Sequence, residues 1–377
     1  MLKMTMEFQN RVILPETGSS SPFLLEGLPA AQAHPALWHA WLASSIATLA
    51  PKDSLYWQHK GLQHHQLALR GLRKRVLLSS PDQEWRHGTM LMLHIYQLHS
   101  PAHEHGGELY IAHLTAAHEL FGEKIYYTPP NGRHAALLLE AYILRTAINY
   151  IFQPQWNLPQ SHVRSRLTLL RMSLEDGSTP EHVCPWIGPV TFRLIEIVFE
   201  LSWLAHRLPL STYYLSKIVS MRDEVEWLHL ATVQSGSSPF SSMENPAIVR
   251  GAYTYACAYL CTVLIEISSL DSVGLNGSRY LALGHELIHL ALGRKDDAFP
   301  DTIFWPVAIL GTGACSQEEQ NIYRSALEQL ERTSGREAVS RVASMLTDIW
   351  TTRNDSSQRG HSAHILKQVI TRYRVFL

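Results

Sequence analysis

Charge is what this sequence has least of. Only 17% of its 377 residues are Asp, Glu, Lys or Arg, against 46% apolar ones, and the two signs nearly cancel, leaving a net charge of −1 at pH 7. Such a composition excludes long disordered tracts and implies a large buried core. The charge balance excludes a broad basic footprint for nucleic acid. The densest basic run, "RGLRKR" at Arg70–Arg75, reads as the solvated face of a helix. Cysteine is scarce as well. Cys184, Cys257, Cys261 and Cys315 have no spacing that suggests a disulfide framework, and a reducing compartment fits them better. Cys257 and Cys261 stand one helical turn apart in the apolar run "YACAYLCTVL" and read as buried thiols. No charge-free apolar run reaches membrane-spanning length. The opening "MLKMTMEFQNRVILPE" has no continuous apolar segment of the kind that directs secretion. The expectation is a soluble intracellular protein that makes no membrane contact.

Strand-like alternation is also rare, and helical periodicity dominates. It predicts helices over Pro35–Leu49, Tyr56–Leu78, Gln83–His99, Glu108–Leu120, Ala135–Phe152, Phe192–Ala205, Thr212–Leu230, Pro246–Ile267, Arg279–Leu292, Gln317–Glu331, Glu337–Ile349 and Ala363–Tyr373. Breakers separate them: "TPPNG" at Thr128–Gly132, "QPQWNLPQ" at Gln153–Gln160, "EDGSTPEHVCPW" at Glu175–Trp186 and "QSGSSPFSS" at Gln234–Ser242. None is long enough to be a clear domain linker. The fold class expected is therefore all-α, a single large multi-helix domain over residues 33–377 behind a mostly irregular segment, residues 1–32.

One stretch within these helices suggests chemistry. "GHELIHLALG", Gly284–Gly293, contains His285, Glu286 and His289 in the order H-E-x-x-H. On a helix this spacing sets two imidazoles on one face, able to share a zinc ion, with the Glu placed to take a proton from bound water. The chain has 21 histidines, and an accidental match is expected in roughly 5% of chains so composed. A catalytic zinc also needs a third ligand. No His follows in "HLALGRKDDAF", and nothing in the sequence selects Glu318 or Glu319 for that place. Zinc hydrolysis is therefore the third-ranked reading. The expectation is no metal and no cofactor, with both histidines near the polar edge of a packing helix.

The segment after that helix carries a resemblance. "DTIFWPVAILGTGACSQEEQNIYRSALEQLERTSGREAVSRVASMLTDIWTTRN", Asp301–Asn354, resembles the C-terminal hallmark of the fungal-specific transcription factor domain, in the subfamily typified by acriflavine-sensitivity regulators. There a Trp-Pro pair opens an apolar helix that ends in small residues, followed by a charged helix and a further helix closing on Trp and Arg. Here these are Trp305-Pro306, Gly311–Ala314, Gln317–Glu331, and Trp350 with Arg353. "AHPALWHAWLASSIATLA", "HHQLALRGLRKRVLL", "TMLMLHIYQLHS" and "ELYIAHLTAAHELF" look like the family's opening helices. The resemblance runs from about Ala33 to Lys367 and implies the helical fold, with "GHELIH" on an ordinary packing helix. Regulators of this family usually carry a cysteine-rich binuclear zinc cluster ahead of the domain. No cysteine precedes Cys184 here, so no direct nucleic-acid contact is expected.

Fold does not fix function. The chain is also similar in size and layout to zinc-cluster-free biosynthetic proteins, the hetero-Diels–Alderases that join tropolones to humulene-type terpenes. That resemblance implies a cofactor-independent pericyclase of fungal secondary metabolism acting on polyketide and terpenoid small molecules. That enzyme is expected in the cytoplasm; the alternative is a transcriptional regulator or interaction protein lacking its own DNA-binding zinc cluster, placed in the nucleus and acting as a homodimer. For the enzyme, the helix "AALLLEAYILRTAINYIF" offers Tyr142, Arg145 and Asn149 at i, i+3 and i+7, on one face. They are the catalytic candidates: Arg145 and Tyr142 as hydrogen-bond donors to an oxygenated diene, Asn149 to orient its carbonyl. Tyr255, Tyr259, Trp203, His206 and Trp305 are the substrate-binding candidates. Each also has a packing reading: Trp305-Pro306 as a helix start with its Trp in the core, the tyrosines as core residues, and His206 as a satisfied edge histidine.

Overall fold

The computed structural model describes residues 22–50, 54–76, 84–100, 113–117, 133–152, 160–175, 190–234, 245–268, 277–293, 303–333 and 336–355. Among them no strand occurs, and helices account for nearly all of these described residues. In order they are α1 (Pro22–Ala33), α2 (Pro35–Leu49), α3 (Leu55–Val76), α4 (Glu84–His99), α5 (Arg133–Tyr150), α6 (Gln160–Glu175), α7 (Phe192–Ala205), α8 (Thr212–Gln234), α9 (Asn245–Ser268), α10 (Gly277–Leu292), α11 (Phe304–Gly311), α12 (Gln317–Thr333) and α13 (Arg336–Asp355). A short helical turn spans 113–117. The expected all-α single domain is what the chain forms. The predicted helix over Ala363–Tyr373 lies outside the described residues.

The sequence marks several of these ends chemically. Pro35 opens α2, where a missing N–H costs nothing. Thr191 caps α7, its hydroxyl accepting from the Leu194 amide. Ser316 and Glu319 form a reciprocal capping box on α12: the Ser316 hydroxyl accepts from Glu319 N, and Glu319 Oε2 accepts from Ser316 N and Cys315 N. Two helices run where none is predicted. α1 falls inside the segment read as irregular; its interior Gly27 and Pro29 hide the pattern. α6 is hidden by its own chemistry, because Arg166 occupies a buried position beside Leu167 and Leu170 where an apolar residue would be expected.

One continuous apolar core joins these helices. At the N-terminal end α2 lies between α3 and α4. α5 leads from this group to α7, and α7 packs on α9. α9 is the centre, touching α7, α8, α10 and α11. By length and composition its Ala247–Ser268 stretch could cross a membrane, but 89% of that window is buried inside the molecule, as befits the core helix of a globular body. α12 covers α10 and α11, and α13 returns to touch α4, closing the chain on itself. On the α6–α7–α8 side the core gives way to charge. Buried Glu200 is paired with Arg164 and, at 2.8 Å, with Lys217. Arg193 bridges Glu196 and Glu224 at 2.7 and 2.6 Å.

Candidate functional site

The helical register of α5 does set Tyr142, Arg145 and Asn149 along one side, and each meets a neighbour there. Tyr142 is buried, with the fully buried Arg166 guanidinium of α6 4.7 Å from its ring centre. Asn149 turns its amide back and donates from Nδ2 to the Arg145 carbonyl at 2.8 Å, a contact within the helix itself. Arg145 is half-buried, and its charge is felt by the phenol of Tyr253 on α9. Burial pushes the Tyr253 pKa up; Arg145 offsets part of that.

Tyr253 in turn stacks on Trp305, the rings 5.3 Å apart and 16° from parallel. Both side chains are fully buried. The Tyr253 hydroxyl and the Trp305 indole N–H have no hydrogen-bond partner among the described residues. The structure thus brings Arg145 and Trp305 to the same aromatic neighbour. Nothing in the sequence singles out Tyr253, because Tyr255 and Tyr259, at i and i+4, present the more obvious pair.

The other candidates lie elsewhere. Tyr255 is buried near α10, its pKa raised by burial, with Arg279 opposing and Glu286 adding. Tyr259 is buried against Gly313: a β-carbon on that glycine would stand 3.0 Å from its hydroxyl. Trp203 sits at the C-terminal end of α7, edge-on to Tyr214 and covered at 3.5 Å by the Arg207 guanidinium. His206 follows it and donates from Nε2 to the Tyr150 carbonyl at 2.7 Å, tying the end of α7 to the end of α5. Burial holds its pKa below the usual value against that hydrogen bond. Trp203 and His206 thus meet Tyr214 of α8, Arg207 and the end of α5.

The H-E-x-x-H helix is α10, and the burial boundary runs through its motif. His285 is buried, whereas Glu286 and His289 are exposed. His285 packs edge-on against the fully buried Tyr323 and places Nδ1 3.4 Å from Glu319 Oε1. Glu319, the capping residue of α12, is thereby the partner that the sequence could not select, but it meets one histidine of the pair. Burial lowers the His285 pKa, with Glu319 pulling the other way. Hydrogen bonds from the Ser316 and Cys315 amides outweigh burial at Glu319 and hold its carboxyl below the usual range. Among the described residues no three His, Cys, Asp or Glu side chains converge as a metal-binding group. The chemistry of this corner is a carboxylate–imidazole contact that joins α10 to α12.

The hallmark residues form the opposite kind of site, one built for packing. Trp350 on α13 donates from Nε1 to the Gly311 carbonyl at the end of α11, at 2.9 Å, and Arg324 of α12 lies 5.1 Å from its ring centre. Gly311 admits this close approach. A β-carbon there would come within 2.7 Å of Leu346 Cδ1. Trp305 at one end of α11 and Trp350 at the other thus fasten the short apolar helix between α9 and α13. The side chain of Arg353 lies outside the described residues.

No curated protein and no solved structure matches the chain. The family model of the fungal specific transcription factor domain matches residues 8–373, a span that takes in every helix described above. The chain belongs to the fungal specific transcription factor domain family.

Proposed function

We propose that this chain is the regulatory helical domain of a fungal transcriptional regulator of the acriflavine-sensitivity type, which passes on a signal rather than touching DNA with these residues. The observation that carries the reading is the match of one regulator family across nearly the whole chain, residues 8–373. The placement of the hallmark residues supports it, since Trp305 and Trp350 join helices and face no solvent. The near-zero net charge supports the second half of the proposal, because non-specific DNA affinity comes mainly from phosphate-facing cations.

The test is a fusion of the whole chain to an unrelated DNA-binding module driving a reporter. The expected result is reporter output that differs from that of the module alone and is lost when Trp305→Ala disrupts the hallmark. Output equal to the module alone refutes the reading. In parallel, the chain by itself is expected to bind DNA weakly, without sequence preference, and less as salt rises. A specific footprint at physiological salt would place DNA reading back in these residues.

A second reading is the coupling enzyme, and Arg145 is the observation in its favour. It is a half-buried cation beside the Tyr253–Trp305 stack, in reach of a catalytic role as a preorganised donor to an oxygenated diene. Arg145→Ala is then expected to cut hetero-Diels–Alder product from a tropolone quinone methide and a humulene-type terpene by about ten- to a thousand-fold, with helicity kept. Absence of any product from the wild-type chain removes this reading and leaves the regulator.

A further inference from the structure

α2 and α3 are consecutive helices packed along each other. His39 of α2 and His64 of α3 meet at their seam. The two Nδ1 atoms are 3.0 Å apart, and the rings stack with centroids 5.2 Å apart and 29° between planes. Both side chains are only partly buried, so the seam opens to solvent here. A contact of this kind between neutral imidazoles uses one N–H. Moving that proton to the other ring nitrogen leaves an Nδ1 lone pair on each ring, 3.0 Å apart, which rotation of the two imidazoles about their Cβ–Cγ bonds turns onto one metal ion.

The separation constrains the occupant. Metal–imidazole bonds are about 2.0–2.1 Å, so nitrogens 3.0 Å apart subtend an angle of roughly 90–97° at the metal. A tetrahedral ion would spread them to about 3.3 Å. Right-angled placement suits tetragonal ions, and copper(II) binds nitrogen donors most strongly among the divalent first-row metals. We propose that His39 and His64 form a two-histidine copper(II) site, chelating through both Nδ1 atoms across the α2–α3 seam, with water completing the coordination.

The neighbours set its strength. His65 turns the other way, onto Tyr96 and His113, and adds no third ligand. Lys60 precedes His64 by one turn, its ammonium 3.3 Å from Gln63 Oε1 and 5.9 Å from the Tyr56 ring centre. Lys60 and His64 stand four apart on one face of α3, so the ammonium repels a bound dication too. A site that acts by chelation also cross-links α2 to α3, and a metal bound only by the folded chain raises its stability.

The experiment titrates the whole chain with copper(II) chloride in a non-coordinating buffer, by calorimetry and electron paramagnetic resonance. One site with an axial spectrum and two histidine nitrogens is expected. His39→Gln and His64→Gln should each weaken it by about a hundred-fold, since the second ligand binds intramolecularly. His289→Gln, at an exposed position on α10, should leave it unchanged, and Lys60→Gln should tighten it about three-fold by removing the repulsion. Should a histidine variant fail to fold, the wild-type nitrogen count and the Lys60→Gln affinity decide the matter. Tight binding that survives both histidine substitutions overturns the proposal, as does a wild-type spectrum with fewer than two histidine nitrogens or an unchanged affinity in Lys60→Gln.

Discussion

Trp350→Phe probes whether the family hallmark works by joining helices. Trp350 is 3% exposed, and its indole N–H donates to Gly311 O at 2.9 Å. That carbonyl keeps a second donor, Ala314 N at 3.2 Å, so the substitution does not orphan it. Loss of the bond is then worth about 1 kcal/mol rather than a full desolvation penalty. The smaller ring leaves a partly filled void worth roughly 1–2 kcal/mol. Arg324 keeps an aromatic face to lie over, at a loss of a few tenths at most, roughly. The sum is about 2–3 kcal/mol. Trp305→Phe shares the void but removes an N–H that has no hydrogen-bond partner among the described residues, so it should cost about 1 kcal/mol less. Trp227→Phe, at a position 65% exposed, should stay within about 0.5 kcal/mol of wild type. Urea unfolding followed by circular dichroism gives all three as midpoint shifts at constant slope. If Trp350→Phe and Trp227→Phe share a midpoint, α11 is not held by α13 and the packing role of the hallmark is wrong.

Three further outcomes follow from particular contacts. Burial lowers the pKa of His113 to about 4, below its unfolded value near 6.5. The unfolded chain therefore binds more protons between these values, and stability present above pH 6.5 is lost as pH falls toward 4; between pH 7.5 and 5 this residue alone should cost about 2 kcal/mol. His206 and His285 shift in the same direction and keep part of the effect; the gap between urea midpoints at the two pH values should narrow in His113→Phe, and an unchanged gap would refute the assignment. Gly284→Ala on α10 would place a β-carbon 2.7 and 2.9 Å from the two Leu310 methyls. With Leu310 fully buried, overpacking of about 1–3 kcal/mol should exceed the helix-propensity gain of about 1, and a higher melting temperature would show that the contact yields. Around Glu200 the two sides are unequal: Lys217→Met leaves a buried carboxylate with Arg164 alone and should cost about 3 kcal/mol, whereas Glu200→Gln releases cations that are 43% and 27% exposed, the first of which keeps Glu196 at 3.4 Å, and should cost about half as much. Equal costs in thermal unfolding would mean the carboxylate is better hydrated than its burial implies.

How much of this was legible in the sequence depended on the range of the interaction. α2, α7 and α10 follow from local periodicity and breakers almost to the residue, and the capping box at Ser316 is a local signal that the chain obeys. α6 was illegible because Arg166 is buried on Tyr142; a cation–π contact with another helix replaces the apolar residue that periodicity looks for. The shared face of Tyr142, Arg145 and Asn149 was read from the spacing. What that face touches was not, since Tyr253 and Arg166 come from other helices. His39 and His64, 25 residues apart, left no signal at all: a histidine pair across two helices has neither period nor motif.

The H-E-x-x-H stretch shows the same limit most plainly. Spacing by four does put His285 and His289 on adjacent turns, as the motif requires, yet a helix face is not all at one depth. α12 lies against α10 so that it covers His285 and leaves Glu286 and His289 in water. The position covered then acquires its own partner, Glu319, which the local capping of α12 has already fixed in place. Two rules that each operate within one helix, the i to i+4 spacing and the capping box, meet at one tertiary contact and yield a joint between helices. The Glu that a zinc site would need as a third ligand is thereby committed to two backbone amides and one imidazole. The motif acts here through packing, as one more joint in a body of stacked helices.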